Sequence, residues 1–243
     1  MKSRKYQTEQ KQKKGGFLAG ILLLVVCLTV VVAGGKTILG GNPVQAIGES
    51  LQTDAGLTLA PDGDWNLILV NPEHAMPQGY EVELTQLSNG ESVDERIYPY
   101  LQKMFDDARA QGVFPVVTSG YRTQQTQEML YEQEIQKYRD QGYSDFEAEE
   151  LAKKWVAVPG TSEHQLGLAV DIGAEALKSD KEQVYQWLYE NSARYGFILR
   201  YSEDKTEITG INYEPWHFRY VGKEAAQKIY EQGICLEEYL QQK

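Results

Sequence analysis

Apolar side chains recur along the chain with two different periods. Between residues 93 and 111, Ile97, Leu101, Met104, Phe105 and Ala108 fall three and four apart, the spacing of one face of an α-helix. The stretch VFPVVTS (113–119) is short, β-branched and closed by Gly120, which predicts a strand. Residues 123–141 and 144–156 predict two further helices, rich in Gln and Glu and largely solvated. LGLAVDI (166–172) predicts another strand. Ser179 caps a helix that runs to Gly196, with Val184, Leu188 and Ala193 on or near one face. FILRY (197–201) and WHFRYVG (216–222) predict strands, and 223–241 closes in helical turns. WNLILVN (65–71) is a short apolar run that predicts a strand stopped at Asn71-Pro72. Long helices come early, and the later strands are joined by loops or one helix. That order predicts an α+β fold with a small antiparallel sheet instead of regular βαβ alternation.

The first 62 residues follow neither period. Residues 1–14 carry six Lys or Arg and one Glu and read as a basic cytoplasmic tail. Residues 15–35, GGFLAGILLLVVCLTVVVAGG, hold no charge, and twenty-one residues at helical rise span roughly 30 Å, the hydrocarbon thickness of a bilayer. A cleaved signal peptide has a shorter apolar core, about 7 to 15 residues, and a small-residue cleavage site directly after it. Val44-Gln45-Ala46 stands too far downstream for that. The run therefore predicts an uncleaved transmembrane signal anchor, with a single-pass chain whose body lies outside the cytoplasmic membrane. Residues 36–62 scatter Gly, Pro, Asn and Ser and read as a linker, leaving 63–243 as the folded domain.

Charge narrows the partners. The net charge of -11 combines a basic tail with a body of 18 basic and 34 acidic residues. So acidic a body argues against nucleic acid, whose phosphates are neutralised by Lys and Arg. Cys27 lies in the apolar run and Cys235 near the C-terminus, a placement that argues against a disulfide between them.

Asp171 is the anomaly in this pattern. It sits inside LAVDI, where a strand should be buried, and a buried carboxylate is costly unless paired or bound to a metal. His164 lies seven residues before it, and His217 stands in the late segment EPWHFRYVG; His74, in NPEHAMP, reads as a surface residue. Two imidazoles and a carboxylate form a zinc site of the catalytic kind, with the fourth position open. Spacing alone also allows hydrogen-bonded core histidines and an Asp171 paired with an Arg such as Arg122. Glu214 precedes His217 by three, and Pro215 between them excludes a helix interior but permits a bent entry that turns both side chains to one cavity. A carboxylate beside a metal can shuttle a proton from water to a leaving amine. Arg122 ends VVTSGYRTQQ at a strand-to-helix junction marked by Gly120, a position from which a guanidinium can stabilise an oxyanion. Taken singly, Glu214 reads as a loop acid and Arg122 as a surface or structural cation.

Together, SGYRT (119–123), SEHQLGLAVD (162–171, S-x-H-x-x-G-x-A-x-D) and EPWH (214–217) resemble the motifs of the VanY-type zinc D-alanyl-D-alanine carboxypeptidases, a group related to VanX dipeptidases and L,D-carboxypeptidases. The resemblance covers roughly residues 65–240, and no core motif position departs from it. It implies a small antiparallel sheet with surrounding helices around a zinc cleft. It implies His164, Asp171 and His217 as ligands of Zn2+, Glu214 as general acid/base and Arg122 as the group polarising the scissile carbonyl. Ser162 would help bind the substrate's terminal carboxylate, Tyr201 would line the substrate pocket, and Gly167 and Ala169 would be packing positions. The implied substrate is a peptidoglycan stem peptide that loses its terminal D-alanine. An L,D-carboxypeptidase acting on tetrapeptide stems is the nearest alternative. A non-catalytic cell-wall-binding module would be marked by loss of the acid or a ligand, and all are intact.

Overall fold

Four antiparallel strands build the central sheet in the order β3 (Pro115–Ser119), β4 (Ala169–Ala174), β6 (His217–Tyr220), β5 (Phe197–Leu199). The computed structural model describes residues 64–243, so the predicted tail, anchor and linker lie outside the described residues. Among the described residues no helix is long and apolar enough to cross a membrane.

The pleat sorts the sheet into two unlike faces. Val170, Ile172, Phe218 and Phe197 point to one side, where helices α1 (Tyr98–Ala110) and α4 (Lys181–Asn191) cover them with Leu101, Met104, Phe105, Val184 and Leu188. Each of these side chains contributes roughly 1.5–3 kcal/mol by leaving water. The opposite face carries Asp171, His217 and Arg219 in its middle. At the β5 end of that face Ile198 joins a second core with Val221, Ala226, Ile229 and Leu236, supplied partly by the two helices that follow the one-turn α5 (Thr206–Thr209), namely α6 (Lys223–Gln232) and α7 (Leu236–Gln241). Helices α2 (Gln124–Asp140) and α3 (Asp145–Ala152) form a hairpin with a small core of its own, Ile135, Ala148 and Ala152 backed by Tyr131 and Tyr138. Thr123 caps α2 by accepting from Thr126 N, and Ser144 with Glu147 forms a capping box on α3.

The α+β class and the small antiparallel sheet agree with the sequence reading; several local expectations do not. WNLILVN is no sheet strand. Trp65–Leu67 forms a 3-10 turn, and Arg219 Nη2 donates to the carbonyls of Asn66 (3.1 Å) and Ile68 (2.8 Å), so a guanidinium takes the place of a strand partner. A hairpin of β1 (Leu84–Gln86) and β2 (Ser92–Asp94) precedes α1, where the period had extended the helix back to residue 93. Asp180, not Ser179, caps α4; the Ser179 hydroxyl instead accepts from Phe114 N at 3.0 Å. Gly233, at φ 62°, breaks the last helical segment in two.

Candidate active site and metal-ligand cluster

Strand register brings the first two ligand candidates together. Asp171 on β4 is directly paired with His217 on β6, so both side chains leave the sheet on the same face, and His217 Nδ1 lies 3.1 Å from Asp171 Oδ1. A bulge in β3 between Val117 and Ser119 sets Ser119 opposite Asp171 on the other side. His164 arrives on a 3-10 turn, Glu163–Leu166, which ends at Gly167 with φ 73°. A side chain at Gly167 would also meet Asp94 N at 3.0 Å, and Ala169 is fully buried, so both are packing positions as expected. His164 Nδ1 donates to Gly120 O at 2.8 Å, and Arg122 N donates back to His164 O at 3.1 Å. Gly120 is needed for close approach: a Cβ there would stand 2.2 Å from Ser92 O. The His164 and His217 rings lie 4.9 Å apart at 89°, and one donor atom from each of His164, Asp171 and His217 falls within 4.8 Å of the others.

Glu214 reaches the same point through a turn. His217 N donates to Glu214 O across Pro215-Trp216, and Glu214 Oε2 lies 3.7 Å from His217 Nδ1. Arg122 donates from Nη2 to Asp171 Oδ2 at 2.7 Å and from Nε to Ser119 Oγ at 2.8 Å. The arginine pairing that spacing left open is thus present beside the ligand cluster. The Tyr201 ring packs on His217, tilted by 45° with ring centroids 4.7 Å apart, and Ser162 is buried beside His164. All seven candidate residues line one cavity of about 450 Å³. Its outer wall includes Leu130, Gln133 and Lys137 of α2 and Trp155 after α3, so the hairpin read as solvated helices has one face on the cavity. His74 is half-buried in a turn with Asn71, apart from this cluster.

Electrostatics separate the two candidate carboxylates. Burial pushes the Glu214 carboxyl up to about 7. Burial acts the same way on Asp171, but His164 and His217 outweigh it and hold Asp171 well below the usual carboxylate range. His164 is pushed down by burial and by Arg122. For His217 burial opposes the charge, yet the neighbouring Asp171 and Glu163 carboxylates raise it to about 9.

The donor set fits a cation. Because a carbonyl can only accept, the Gly120 contact puts the His164 proton on Nδ1 and leaves a lone pair on Nε2. That Nε2 is buried without a hydrogen-bond partner among the described residues, 3.4 Å from Asp171 Oδ2. Two imidazoles and one carboxylate around an accessible cavity are the ligands of an open zinc site.

One group at the site escaped the sequence reading. Glu163, the unspecified x of S-x-H, is wholly buried; its Oε1 accepts from Arg200 Nε at 2.8 Å and Arg219 Nη1 at 3.0 Å. Arg200 in turn makes two bonds to Glu237 on α7. The signal was the one that exposed Asp171: charges set among apolar residues in FILRY and HFRYV.

Known proteins share both sequence and fold with the chain. The family model described as VanY, D-alanyl-D-alanine carboxypeptidase, matches residues 90–223. A D-alanyl-D-alanine carboxypeptidase of Enterococcus faecalis is 56% identical over 197 residues, 80% of this chain and 74% of the relative. The crystal structure of a mutant of the vancomycin resistance D,D-pentapeptidase VanY from a VanB-type cassette, in complex with Zn(II), matches with a TM-score of 0.72 and 60% identity, covering 73% of this chain and 99% of that one. The LdcB LD-carboxypeptidase matches with a TM-score of 0.61 and 33% identity, over 79% of this chain and 93% of that one. With the family model, the sequence identity and the fold in agreement, the chain belongs to the VanY family of D-alanyl-D-alanine carboxypeptidases.

Proposed function

We propose that this protein is a zinc D-alanyl-D-alanine carboxypeptidase that removes the C-terminal D-alanine from peptidoglycan stem peptides. The observation that carries the reading is the directly paired Asp171 and His217, completed by His164 and faced by the buried Glu214. His164, Asp171 and His217 would hold the ion. When bound, zinc supplies a Lewis acid that polarises the scissile carbonyl and lowers the pKa of water.

The protein's own groups account for orientation and proton movement. Glu214, with its pKa raised towards neutrality, takes a proton from the attacking water and delivers it to the leaving amine of D-alanine. Arg122 lines the cavity beside the ligands, where its guanidinium donates to the carbonyl oxygen as charge develops there. Ser162 binds the terminal carboxylate, and Tyr201 walls the pocket against His217. The α2–α3 hairpin shields the cleft from bulk water on its outer side. The pentapeptide is favoured over the tetrapeptide because the relatives named for D,D cleavage are 56% and 60% identical and the LD-carboxypeptidase 33%.

The proposal extends to the N-terminus: residues 1–14 as a cytoplasmic tail, 15–35 as a signal anchor and 36–62 as a linker, holding domain 63–243 outside the cell membrane. The basic flank and the uncharged apolar run support it. Incubation of the zinc-loaded protein with penta- and tetrapeptide stems, followed by mass spectrometry, tests the activity. D-alanine should leave the pentapeptide, and the Glu214→Gln variant should not release it. Release from the tetrapeptide alone would make the protein an L,D-enzyme, and release from neither would remove the peptidase reading.

A further inference from the structure

Among the described residues, two of the three buried side-chain atoms without a hydrogen-bond partner lie beside one another. Glu163 Oε2 and His217 Nε2 are 3.5 Å apart, and neither has a hydrogen-bond partner among the described residues. We infer that Glu163 is a positioning residue for the metal centre: its Oε2 accepts the Nε2 proton of His217 and so presents Nδ1 of that ring to the metal.

The geometry allows one sense for this contact. Glu163 is gripped through Oε1 by Arg200 and Arg219, both wholly buried, so the carboxylate is ionised and can only accept. The grip is itself held. Arg200 makes two bonds to Glu237, which also accepts from Asn71 Nδ2 at 3.0 Å. Arg219 donates to the carbonyls of Asn66, Ile68 and Tyr220. Two carboxylates and two guanidiniums leave this network with no net charge. Glu163 Oε2 therefore faces a donor, and the facing atom is His217 Nε2. The other nitrogen, Nδ1, points to the cavity side, 3.1 Å from Asp171 Oδ1 and 3.7 Å from Glu214 Oε2.

The two histidines are consequently set in opposite senses. His164 is fixed through Nδ1 by a backbone carbonyl and offers Nε2; His217 is fixed through Nε2 by a carboxylate and offers Nδ1. A carboxylate behind a metal-bound imidazole orients the ring and makes it a stronger donor, and losing such a partner typically costs about 10- to 100-fold in metal affinity. A Glu163 that only neutralised two arginines would have no such effect on zinc.

The inference rests on the zinc peptidase reading, and the test keeps the two apart. The full chain has three histidines, so labelling their rings with 15N gives a small set of long-range 1H–15N correlations. In the zinc-loaded protein, His217 should carry its proton on Nε2 and His164 on Nδ1. Zinc affinity, measured by chelator competition, should fall about 10- to 100-fold in Glu163→Ala and less in Glu163→Gln, which keeps an acceptor oxygen. If neither variant folds, the wild-type spectrum still decides. A zinc-loaded, D-alanine-releasing protein with the His217 proton on Nδ1 would overturn the inference alone, as would folded variants with unchanged zinc affinity. A wild-type chain that takes up no zinc would overturn the peptidase reading and the inference with it.

Discussion

Removing the Glu237 carboxylate should cost far more than its place on a short C-terminal helix suggests. Arg200 is wholly buried, and both of its terminal nitrogens donate to Glu237, at 2.8 and 2.6 Å. In Glu237→Ala the carboxylate left to Arg200 among the described residues is Glu163, already shared with Arg219, so one uncompensated charge remains buried. Breaking a buried pair on one side costs about 3–5 kcal/mol. At 1.4 kcal/mol per tenfold, the folding equilibrium shifts roughly 100- to 4,000-fold. For a domain of this size that is a fall in Tm of about 6–20 °C. Arg200→Met with Glu237→Leu removes both charges and leaves Glu163 balanced by Arg219, so most of the loss should return. Burial favours the neutral form of Glu237, but Arg200 outweighs it and holds the folded pKa low. A depressed pKa stabilises above the unfolded value of about 4.3, and that contribution is lost as pH falls through the folded value. The gap between wild type and Glu237→Ala should therefore be full near neutrality and close below about pH 4.3. Urea denaturation across pH reads all three effects. A single-variant cost under about 1 kcal/mol, or a double variant no better than the single, would refute the reasoning.

The Glu214→Gln variant should lose about 10²- to 10⁴-fold in kcat while zinc affinity by chelator competition stays within a few-fold; a loss under tenfold would remove Glu214 from the proton-transfer role. Gly120→Ala must push the backbone away from Ser92 O, at a cost of about 1–3 kcal/mol, and should weaken zinc binding as Gly120 O leaves His164 Nδ1. Unchanged zinc affinity in that variant would show that the carbonyl does not orient the ring. Deleting residues 1–35 should move the protein from the membrane pellet to the soluble fraction with unchanged kcat on a soluble peptide; retention in the pellet would count against the anchor.

The parts of the site that were legible broke a local rule. Asp171 interrupts an apolar strand, Pro215 bends the approach to His217, and Gly120 marks the junction before Arg122; each is visible within ten residues. Helix α1 was legible because its buried face repeats at three and four. The β1–β2 hairpin was not, since strands three residues long are too short to show a period, although Asn89-Gly90 marks the turn. The Glu163 network stayed hidden because its pairs join residues 37 and 56 positions apart, and pairing across such distances leaves no local period. The strand expected at 65–71 failed for a related reason: its carbonyls are satisfied by Arg219, more than 150 residues away.

The α2–α3 hairpin carries its own apolar cluster, separate from the cores that hold the sheet. Its cavity-facing residues Leu130, Gln133 and Lys137 stand on a unit that shares no buried apolar cluster with the strands bearing Asp171 and His217. The hairpin's hydrogen bonds to the site run through Gln127, which accepts from Arg122, and Gln124, which accepts from Gln165. Energetic effects at sites without shared partners add nearly independently, and Leu130, Gln133 and Lys137 are not among those bonded residues. Substitutions at these three positions should therefore change the cavity wall while the candidate metal ligands keep their geometry. On the proposed reading, selectivity becomes open to change separately from reactivity.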